Sequence, residues 1–367
     1  MTSAGPSLVV GLMSGTSLDG VDTALVDFSG KQPQALATFW QPYSSAIRQP
    51  ALQLQTAQQN EIHCAALLAN ELARCYADAV AQLLANAGVN AGQIAAIGCH
   101  GQTIRHQPAA GYSVQLNNPA LLAEITGIAV VADFRSRDIA AGGQGAPLVP
   151  AYHAAVFGDA TRHRVILNLG GIANLTDLNP GQPIRGFDCG PGNLLMDAWI
   201  ERHQGLRYDE GGQWAAQGKV LPELLHGLLA DGFFAVSPPK SCGREEFNLA
   251  WLEHHLAGSE QPQDVQATLL ELSAVSVTKA VGRWCGSPGE LFVCGGGARN
   301  LTLMARLQHH LANCRVASTD SLGQAADWVE ALAFAWLAWR TLHNEPGNLA
   351  EVTGARGPRI LGAIYPR

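Results

Sequence analysis

The sequence predicts an α/β protein built from two similar halves with a central cleft between them. Apolar strand segments alternate with segments of helical period, and the order meander, helix, strand, helix, strand occurs twice. The 367 residues suffice for about two domains with real cores. We expect an N-terminal domain over 1–140 and a C-terminal domain over 141–352, divided near the glycine-rich stretch 142–145. Segment 353–367 is expected to fold back on the first domain.

The first half begins with strand segments joined by short links, which favours an antiparallel meander. Residues 61–87 then carry apolar side chains at spacings of three and four, and Gly88 is placed to end that helix. Asn118 and Pro119 are typical of a helix start, and Gly127 is typical of a helix end. The strand segments are 8–13, 21–28, 35–40, 94–97 and 128–132.

The second half follows the same order. Asn193 and Asn300 are each placed to cap a helix, over 194–203 and 301–312 respectively. Further helical periods cover 266–284 and 325–342. The strand segments are 165–169, then short strands through Gly186, and finally 291–294 and 315–317.

Composition excludes several classes of protein. The net charge is −7 and no basic tract occurs, so nucleic acid is not an expected partner. The longest apolar run, 331–339, is about half a membrane span, so no membrane partner is expected. The N-terminus shows no secretion signal, and the eight cysteines form no CxxC pair. They therefore read as free thiols, and we expect a cytoplasmic protein.

The first glycine cluster runs from Gly11 to Asp22, between two predicted strands. Its glycines allow close backbone approach, and the hydroxyl groups of Ser14, Thr16 and Ser17 add donors to local N–H groups. These features suit an anion-binding turn. An ordinary β-turn explains the same residues, and both interpretations remain open.

Two further glycine turns follow apolar strands. Asn168, Gly170 and Gly171 form one, and Gly295–Gly297 lies between a strand and a capped helix, where a planar or anionic ligand can approach the main chain. No P-loop motif occurs, and no GxGxxG follows a strand. Because only four of the 23 basic residues are lysine, bound phosphates would rely on backbone N–H groups and hydroxyls.

Asp188 stands at a strand end, just before a rigid turn and a helix. Reactive groups collect at strand ends in α/β sheets, although a lone aspartate there is more often a cap or turn former. Asn193 is better placed as the cap, which leaves Asp188 without that task. Its carboxylate is therefore a candidate general base.

Three other polar positions are candidates with open alternatives. Arg135 and Arg137 follow a strand, where they suit either a bidentate grip on an anion or an ion-pair loop. Glu330 lies on an apolar helix, either on its exposed face, which is more usual, or on a cleft wall. His100 is more often structural, and no histidine or cysteine spacing suits zinc.

Together these motifs identify the chain as resembling the anhydro-N-acetylmuramic acid kinases. That family belongs to the sugar kinase/Hsp70/actin superfamily, whose members have two ribonuclease H-like halves. The resemblance spans nearly the whole chain in the right order. Its motifs are Met13-Ser-Gly-Thr-Ser-Leu-Asp-Gly20, His100-Gly-Gln-Thr103, Asp133-Phe-Arg135, Gly143-Gln-Gly-Ala-Pro-Leu-Val-Pro150, Gly186-Phe-Asp-Cys-Gly-Pro-Gly-Asn193 and Cys294-Gly-Gly-Gly-Ala298.

The resemblance implies an ATP- and Mg²⁺-dependent enzyme of peptidoglycan recycling. It would convert 1,6-anhydro-N-acetylmuramic acid, ATP and water into N-acetylmuramic acid 6-phosphate and ADP, with Asp188 activating the water. Arg135, Glu330 and Ser14 would contact the amino sugar, and a homodimer is expected. The implied ATP-binding residues are Gly15, Thr16, Ser17, Leu18, Asp19, Gly20, Val21, Asp22, Asn168, Gly170, Gly171, Gly295, Gly296 and Gly297.

One departure concerns the metal. Many superfamily members have an aspartate at the end of the first strand, where this chain has Met13, and Asn168 stands where an acid is common. Asp19 is the residue we expect at the metal, although Asp22, Asp188 or the nucleotide and waters are alternatives. Two other functions remain open: a kinase for another sugar or hydroxylated metabolite, and a nucleotide-switched binding protein.

Overall fold

The computed structural model describes residues 7–15 and 17–367 and has the expected α/β composition. Its strands are β1 Leu8–Ser14, β2 Gly20–Asp27, β3 Gln34–Pro42, β4 Ile94–Gln107, β5 Tyr112–Leu116, β6 Val130–Ala132, β7 Arg164–Leu169, β8 Ile172–Leu178, β9 Arg185–Pro191, β10 Glu290–Cys294, β11 Arg315–Ser318 and β12 Ala363–Tyr365. Its α-helices are α1 Ser45–Gln53, α2 Glu61–Ala87, α3 Pro119–Thr126, α4 Ser136–Ala140, α5 Val149–Phe157, α6 Leu194–Gln204, α7 Pro222–Leu229, α8 Leu249–Glu253, α9 Pro262–Ala280, α10 Leu301–His310, α11 Val329–Leu342 and α12 Ala350–Thr353.

The strands form two sheets with the same internal plan. One has the order β12-β6-β4-β1-β2-β3, with β5 added to β4, and the other has the order β11-β10-β7-β8-β9. In each, the first three strands form an antiparallel meander, and the next strand pairs in parallel with the first. The repeated plan confirms the predicted fold class of two ribonuclease H-like α/β halves.

The chain divides into two compact units at boundaries that differ from the predicted domains. The first unit comprises the described residues up to Val156 together with Trp328–Arg367, and the second is Phe157–Asp327. Residues 141–156 and 328–352 thus belong to the first unit. The reason is the packing of α11, which lies against β1, β2 and β4. The C-terminal β12 pairs with β6 in the same unit.

Local helix signals are correct at four of the five predicted caps and stops. Gly88 ends α2 in the left-handed conformation, with φ of 66°. The side chains of Asn118 and Asn300 accept hydrogen bonds from backbone N–H groups in the first turns of α3 and α10, both at 3.0 Å. Gly127 ends α3 in the left-handed conformation, with φ of 66°. Asn193 is the exception, because its amide donates to the carbonyl of Leu169 at 3.1 Å instead of capping α6.

Two glycines let α11 approach the first sheet at backbone distance. A Cβ on Gly11 would overlap the carbonyl oxygen of Ala331, and a Cβ on Gly98 would overlap that of Phe334. Both glycines lie on buried strands, β1 and β4. Any other residue at these two positions would push the helix away from the sheet.

We therefore expect Gly11→Ala to lower the free energy of unfolding by about 3 kcal/mol, because a rigid backbone cannot absorb the added methyl group. Gly92→Ala is the matched control, since nothing lies within 4 Å of its added Cβ and its φ is not positive. Urea unfolding of both variants measures the difference. Equal unfolding midpoints would show that α11 can shift freely.

Candidate functional site

The first glycine turn joins β1 to β2, and its conformation is held from within the first unit. The side-chain amide of Gln102 donates to the carbonyl of Gly15 at 3.1 Å. The hydroxyl of Ser17 donates to the carboxylate of Asp19 at 2.6 Å, and both side chains are exposed. Leu18 has a φ of 57°, the left-handed conformation found in anion-binding nests. Thr16 lies outside the described residues.

The other residues of this turn that we predicted to contact ATP lie in the hydrophobic core or on strand β2. The side chains of Leu18 and Val21 are buried in the hydrophobic core, which leaves only their main-chain groups for a ligand. Gly20 is tightly enclosed, because an added Cβ would overlap the carbonyl of Gln41. Asp22 lies on β2, opposite Met13 of β1.

Ser14 belongs to a buried chain of hydroxyl groups. Its hydroxyl donates to the side-chain carbonyl of Gln102 and is also bonded to the hydroxyl of Tyr43. Because Ser14 has a single proton, Tyr43 must be the donor to Ser14, and Tyr76 then donates to Tyr43 at 3.1 Å. Burial raises the pKa of both tyrosines above the ordinary value, which keeps them as donors. The proton of Ser14 is thus in use, so a sugar hydroxyl could reach Ser14 only by donating to its second acceptor lone pair or by replacing one of these bonds.

Arg135 is fixed by two acceptors in the first unit. Its guanidinium donates to the carbonyl of Gly145 at 2.6 Å and to Nε2 of His100 at 2.8 Å. Because Arg135 can only donate, Nε2 of His100 carries no proton and the proton sits on Nδ1. Burial, and then the nearby Arg135 charge, lower the pKa of His100 well below its ordinary value, so the imidazole is neutral.

Glu330 lies close enough to Arg135 for each to influence the ionisation of the other. Burial raises the pKa of Glu330, and the charge of Arg135 opposes that shift. Burial lowers the pKa of Arg135 to about 10, and Glu330 and Asp138 oppose that shift. The structure thus brings together two predicted sugar-binding residues, with His100 as a third group. In the sequence, the one indication that His100 belongs to this group was its place in the motif His100-Gly-Gln-Thr103.

In the second unit, the second and third glycine turns lie side by side. They follow the parallel strands β7 and β10, so the carboxyl ends of these strands meet at one sheet edge. A Cβ on Gly295 would come within 2.5 Å of the side-chain oxygen of Asn168, and one on Gly297 within 2.5 Å of the Cβ of Leu169. Gly296 is exposed, with nothing within 4 Å of an added Cβ. The carbonyls of Gly170 and Gly171 accept backbone N–H bonds from residues 192–194.

Asp188 lies on β9 of the second unit with one carboxylate oxygen fixed. This oxygen accepts a hydrogen bond from the backbone N–H of Cys242 at 3.0 Å, and the backbone N–H of Asp188 donates to the carbonyl of Lys240 at 3.1 Å. Burial raises the pKa of Asp188 to about 6, with Cys242 and the charge of Lys240 opposing the shift. The sequence argument left Asp188 without a structural task because it assigned the cap of α6 to Asn193. The Asn193 side chain makes no cap bond, and the Asp188 carboxylate instead binds the backbone N–H of Cys242.

Lys240 is a neighbour of Asp188 that the sequence reasoning did not single out. Its ammonium donates to the carbonyl of Phe233 at 3.1 Å and lies 4.3 Å from the centre of the Phe233 ring. Burial lowers its pKa. The only signal for Lys240 in the sequence was the scarcity of lysine.

Among the described residues, no group of three or more His, Cys, Asp and Glu side chains is arranged to hold a metal ion. Asp19 offers an exposed carboxylate beside the first turn. None of the eight cysteines forms a disulfide within the described residues. Across the described chain, no helix has the length and apolar character that a membrane span requires.

Comparisons with known proteins agree over the full described chain. A sequence model of the family described as "Anhydro-N-acetylmuramic acid kinase" matches residues 7–367. A protein of that name from Thiobacillus denitrificans is 58% identical over 361 residues, which cover 97% of this chain and 96% of the relative. Another, from Nitrosospira multiformis, is 56% identical over 359 residues, covering 97% and 98% respectively.

Solved structures show more distant similarity. The activator of the 2-hydroxyisocaproyl-CoA dehydratase from Clostridium difficile with bound ADPNP is 13% identical and gives a TM-score of 0.48. The match covers 92% of this chain and 96% of that chain.

The buried hydroxyl chain leads to a test of stability. We expect Tyr43→Phe to lower the free energy of unfolding by about 1–2 kcal/mol, because Ser14 loses its donor and Tyr76 its acceptor. Tyr112→Phe is the matched control, with a side chain that is 42% exposed. Urea unfolding compares the two variants. A Tyr43→Phe midpoint equal to that of Tyr112→Phe would contradict a stabilising role for the buried hydroxyl chain.

Proposed function

This chain belongs to the anhydro-N-acetylmuramic acid kinase family, as its motifs predict, and we propose that it opens and phosphorylates 1,6-anhydro-N-acetylmuramic acid. The products are N-acetylmuramic acid 6-phosphate and ADP, formed with consumption of ATP and water. The reaction serves peptidoglycan recycling. The observation that carries the mechanism is the half-buried carboxylate of Asp188, which one backbone N–H orients and whose pKa desolvation raises to about 6.

Asp188 acts as the general base on water. Its ionised carboxylate takes a proton as the water oxygen bonds to the anomeric carbon, and the bond from that carbon to O6 breaks. The freed O6 then forms a bond to the γ-phosphorus, and ADP leaves. The backbone N–H of Cys242 holds one carboxylate oxygen and leaves the other for the water.

The glycine turns hold ATP through the main chain. The first turn supplies N–H groups and the Ser17 hydroxyl to phosphate oxygens, and the paired turns containing Asn168, Gly170, Gly171 and Gly295–Gly297 receive the rest of the nucleotide. Their tight mutual packing supports a rigid binding surface. Mg²⁺, held by Asp19 and the phosphates, supplies charge neutralisation of the triphosphate when bound.

Arg135 and Glu330 recognise the amino sugar. The guanidinium suits the carboxylate of N-acetylmuramic acid, because charge-assisted bonds to carboxylates are strong and directional. Neutral His100 fixes that guanidinium without adding charge. Glu330 is suited to accept bonds from sugar hydroxyls. The enzyme is further proposed to be a cytoplasmic homodimer, a state that light scattering of the purified protein tests.

The central experiment measures ADP release in the presence of the anhydro sugar. We expect Asp188→Asn to reduce kcat at least a hundredfold, roughly the lower bound for losing a general base. The substitution is nearly isosteric and leaves an oxygen for the N–H of Cys242, so the fold is retained. Glu201→Gln, on the exposed face of α6, is the control and retains activity. Wild-type turnover by Asp188→Asn would remove Asp188 from the mechanism, and activity on N-acetylmuramic acid alone would indicate another sugar kinase.

The raised pKa of Asp188 also sets the pH dependence. The base must be ionised, so we expect activity to be full above pH 6 and to fall about tenfold per pH unit below it. An ordinary aspartate, with a pKa of 3.8, would shift this fall by about two pH units toward acid. Initial rates between pH 4.5 and 8, with stability checked at each pH, measure the profile. A flat profile down to pH 5 contradicts the assignment.

A further inference from the structure

Three arginines of the first unit converge on a small cavity that the proposed reaction does not use. The cavity has a volume of about 170 Å³ and is lined by Arg137, Arg356 and Arg359 together with Ala140 and Ala141. Arg137 lies on α4, and the other two follow α12 near the C-terminus. No carboxylate lines this cavity, which we call the arginine pocket.

The positive charges of the arginine pocket are not neutralised within the described residues. None of its three guanidinium groups forms an ion pair there. Their side-chain hydrogen bonds go to backbone carbonyls: Arg356 donates to Ala140 at 3.2 Å and Arg359 to Pro358 at 2.8 Å. Each guanidinium has five N–H donors, so most donors remain available to a ligand. Arg137 and Arg356 are exposed and Arg359 is half-buried, so water and salt screen part of their mutual repulsion, and a bound anion would offset the rest.

A buried carboxylate holds the segments that carry these arginines in fixed positions. Asp138, the residue after Arg137, is fully buried, and one of its oxygens accepts bonds from Asn348 at 2.6 Å and Thr353 at 2.7 Å. Its other oxygen accepts the backbone N–H of Gly145 at 2.8 Å. Both of its oxygens are thus hydrogen-bonded, and these bonds tie α4 to the C-terminal segment.

The backbone adds a second set of ties. The N–H of Arg356 donates to the carbonyl of Ala141 at 2.9 Å, and the N–H of Arg359 donates to the side chain of Asn348 at 2.6 Å. Two of the three arginines are therefore anchored at their own backbone. A pre-organised group of guanidiniums loses little entropy when it binds a ligand.

We propose that the arginine pocket binds an anion bearing a phosphoryl or diphosphoryl group. Such a group carries about two or more negative charges and several acceptor oxygens, so that three guanidiniums can share it. A single carboxylate has one charge and two oxygens, which satisfy one arginine. The cavity admits a group of this size while the rest of the ligand extends into solvent. The residues of the arginine pocket are different from those of the glycine turns, and the proposal does not depend on the proposed reaction.

Calorimetric titration with sodium pyrophosphate tests the proposal. The full-length protein is first saturated with ADP in EDTA, which occupies the proposed nucleotide site and removes divalent metals. We expect one pyrophosphate per chain, and Arg137→Gln and Arg356→Gln should each weaken binding about tenfold through loss of a charge-assisted bond. Arg137→Gln is informative because its side chain makes no described hydrogen bond that folding requires.

Arg48→Gln is the matched control, an exposed arginine on α1 of the same unit, and should bind pyrophosphate like the wild type. Acetate should bind at least tenfold more weakly than pyrophosphate. Absence of binding, or equal dissociation constants for Arg137→Gln and Arg48→Gln, would overturn the site. Equal binding of acetate and pyrophosphate would overturn the phosphoryl assignment.

Discussion

The first unit depends on the contact between the backbone of α11 and two strands of its sheet. Gly11 and Gly98 leave room for helix carbonyls where side chains would otherwise stand. At this distance the ring of Phe334 lies 4.6 Å from that of His100. Glu330 lies one turn earlier on the same helix, where the charge of Arg135 opposes the rise in its pKa that burial causes. By allowing this close approach of α11, Gly11 and Gly98 help to set the distance between the Glu330 carboxylate and the Arg135 guanidinium.

The second unit uses glycine for a similar purpose at a different place. Gly192 and Gly297 are enclosed by the backbone around Leu169 and Gly170, so three chain segments meet without intervening side chains. The N–H of Gly192 and that of Asn193 then bond to carbonyls of the turn after β7. These bonds consume carbonyls rather than N–H groups of Gly170 and Gly171, which preserves donors for an anion.

Local chemistry was readable in the sequence, whereas distant partners were not. The bounds of α2 followed from apolar spacing, and Asn118 and Asn300 were readable as caps because the cap bond spans only three residues. The amide of Asn193 instead bonds a carbonyl 24 residues away, which no local pattern encodes. The extension of β4 into a hairpin with β5 was missed because the polar residues 100–107 resemble a loop. Likewise, no pattern placed Lys240 beside Asp188.

Two aspartates of the second unit show how the number of hydrogen bonds donated to a carboxylate sets its pKa, and hence whether it can act as a base. Asp159 is half-buried, and one of its oxygens accepts two backbone N–H bonds and a hydroxyl bond, which lower its pKa to about 2. Such a carboxylate holds a proton too weakly to take one from water near neutral pH. Asp188 is also half-buried, but its carboxylate receives only one N–H, so desolvation prevails and the pKa rises to about 6. A second donor would oppose that rise, so the single bond from Cys242 orients the carboxylate while preserving its basicity.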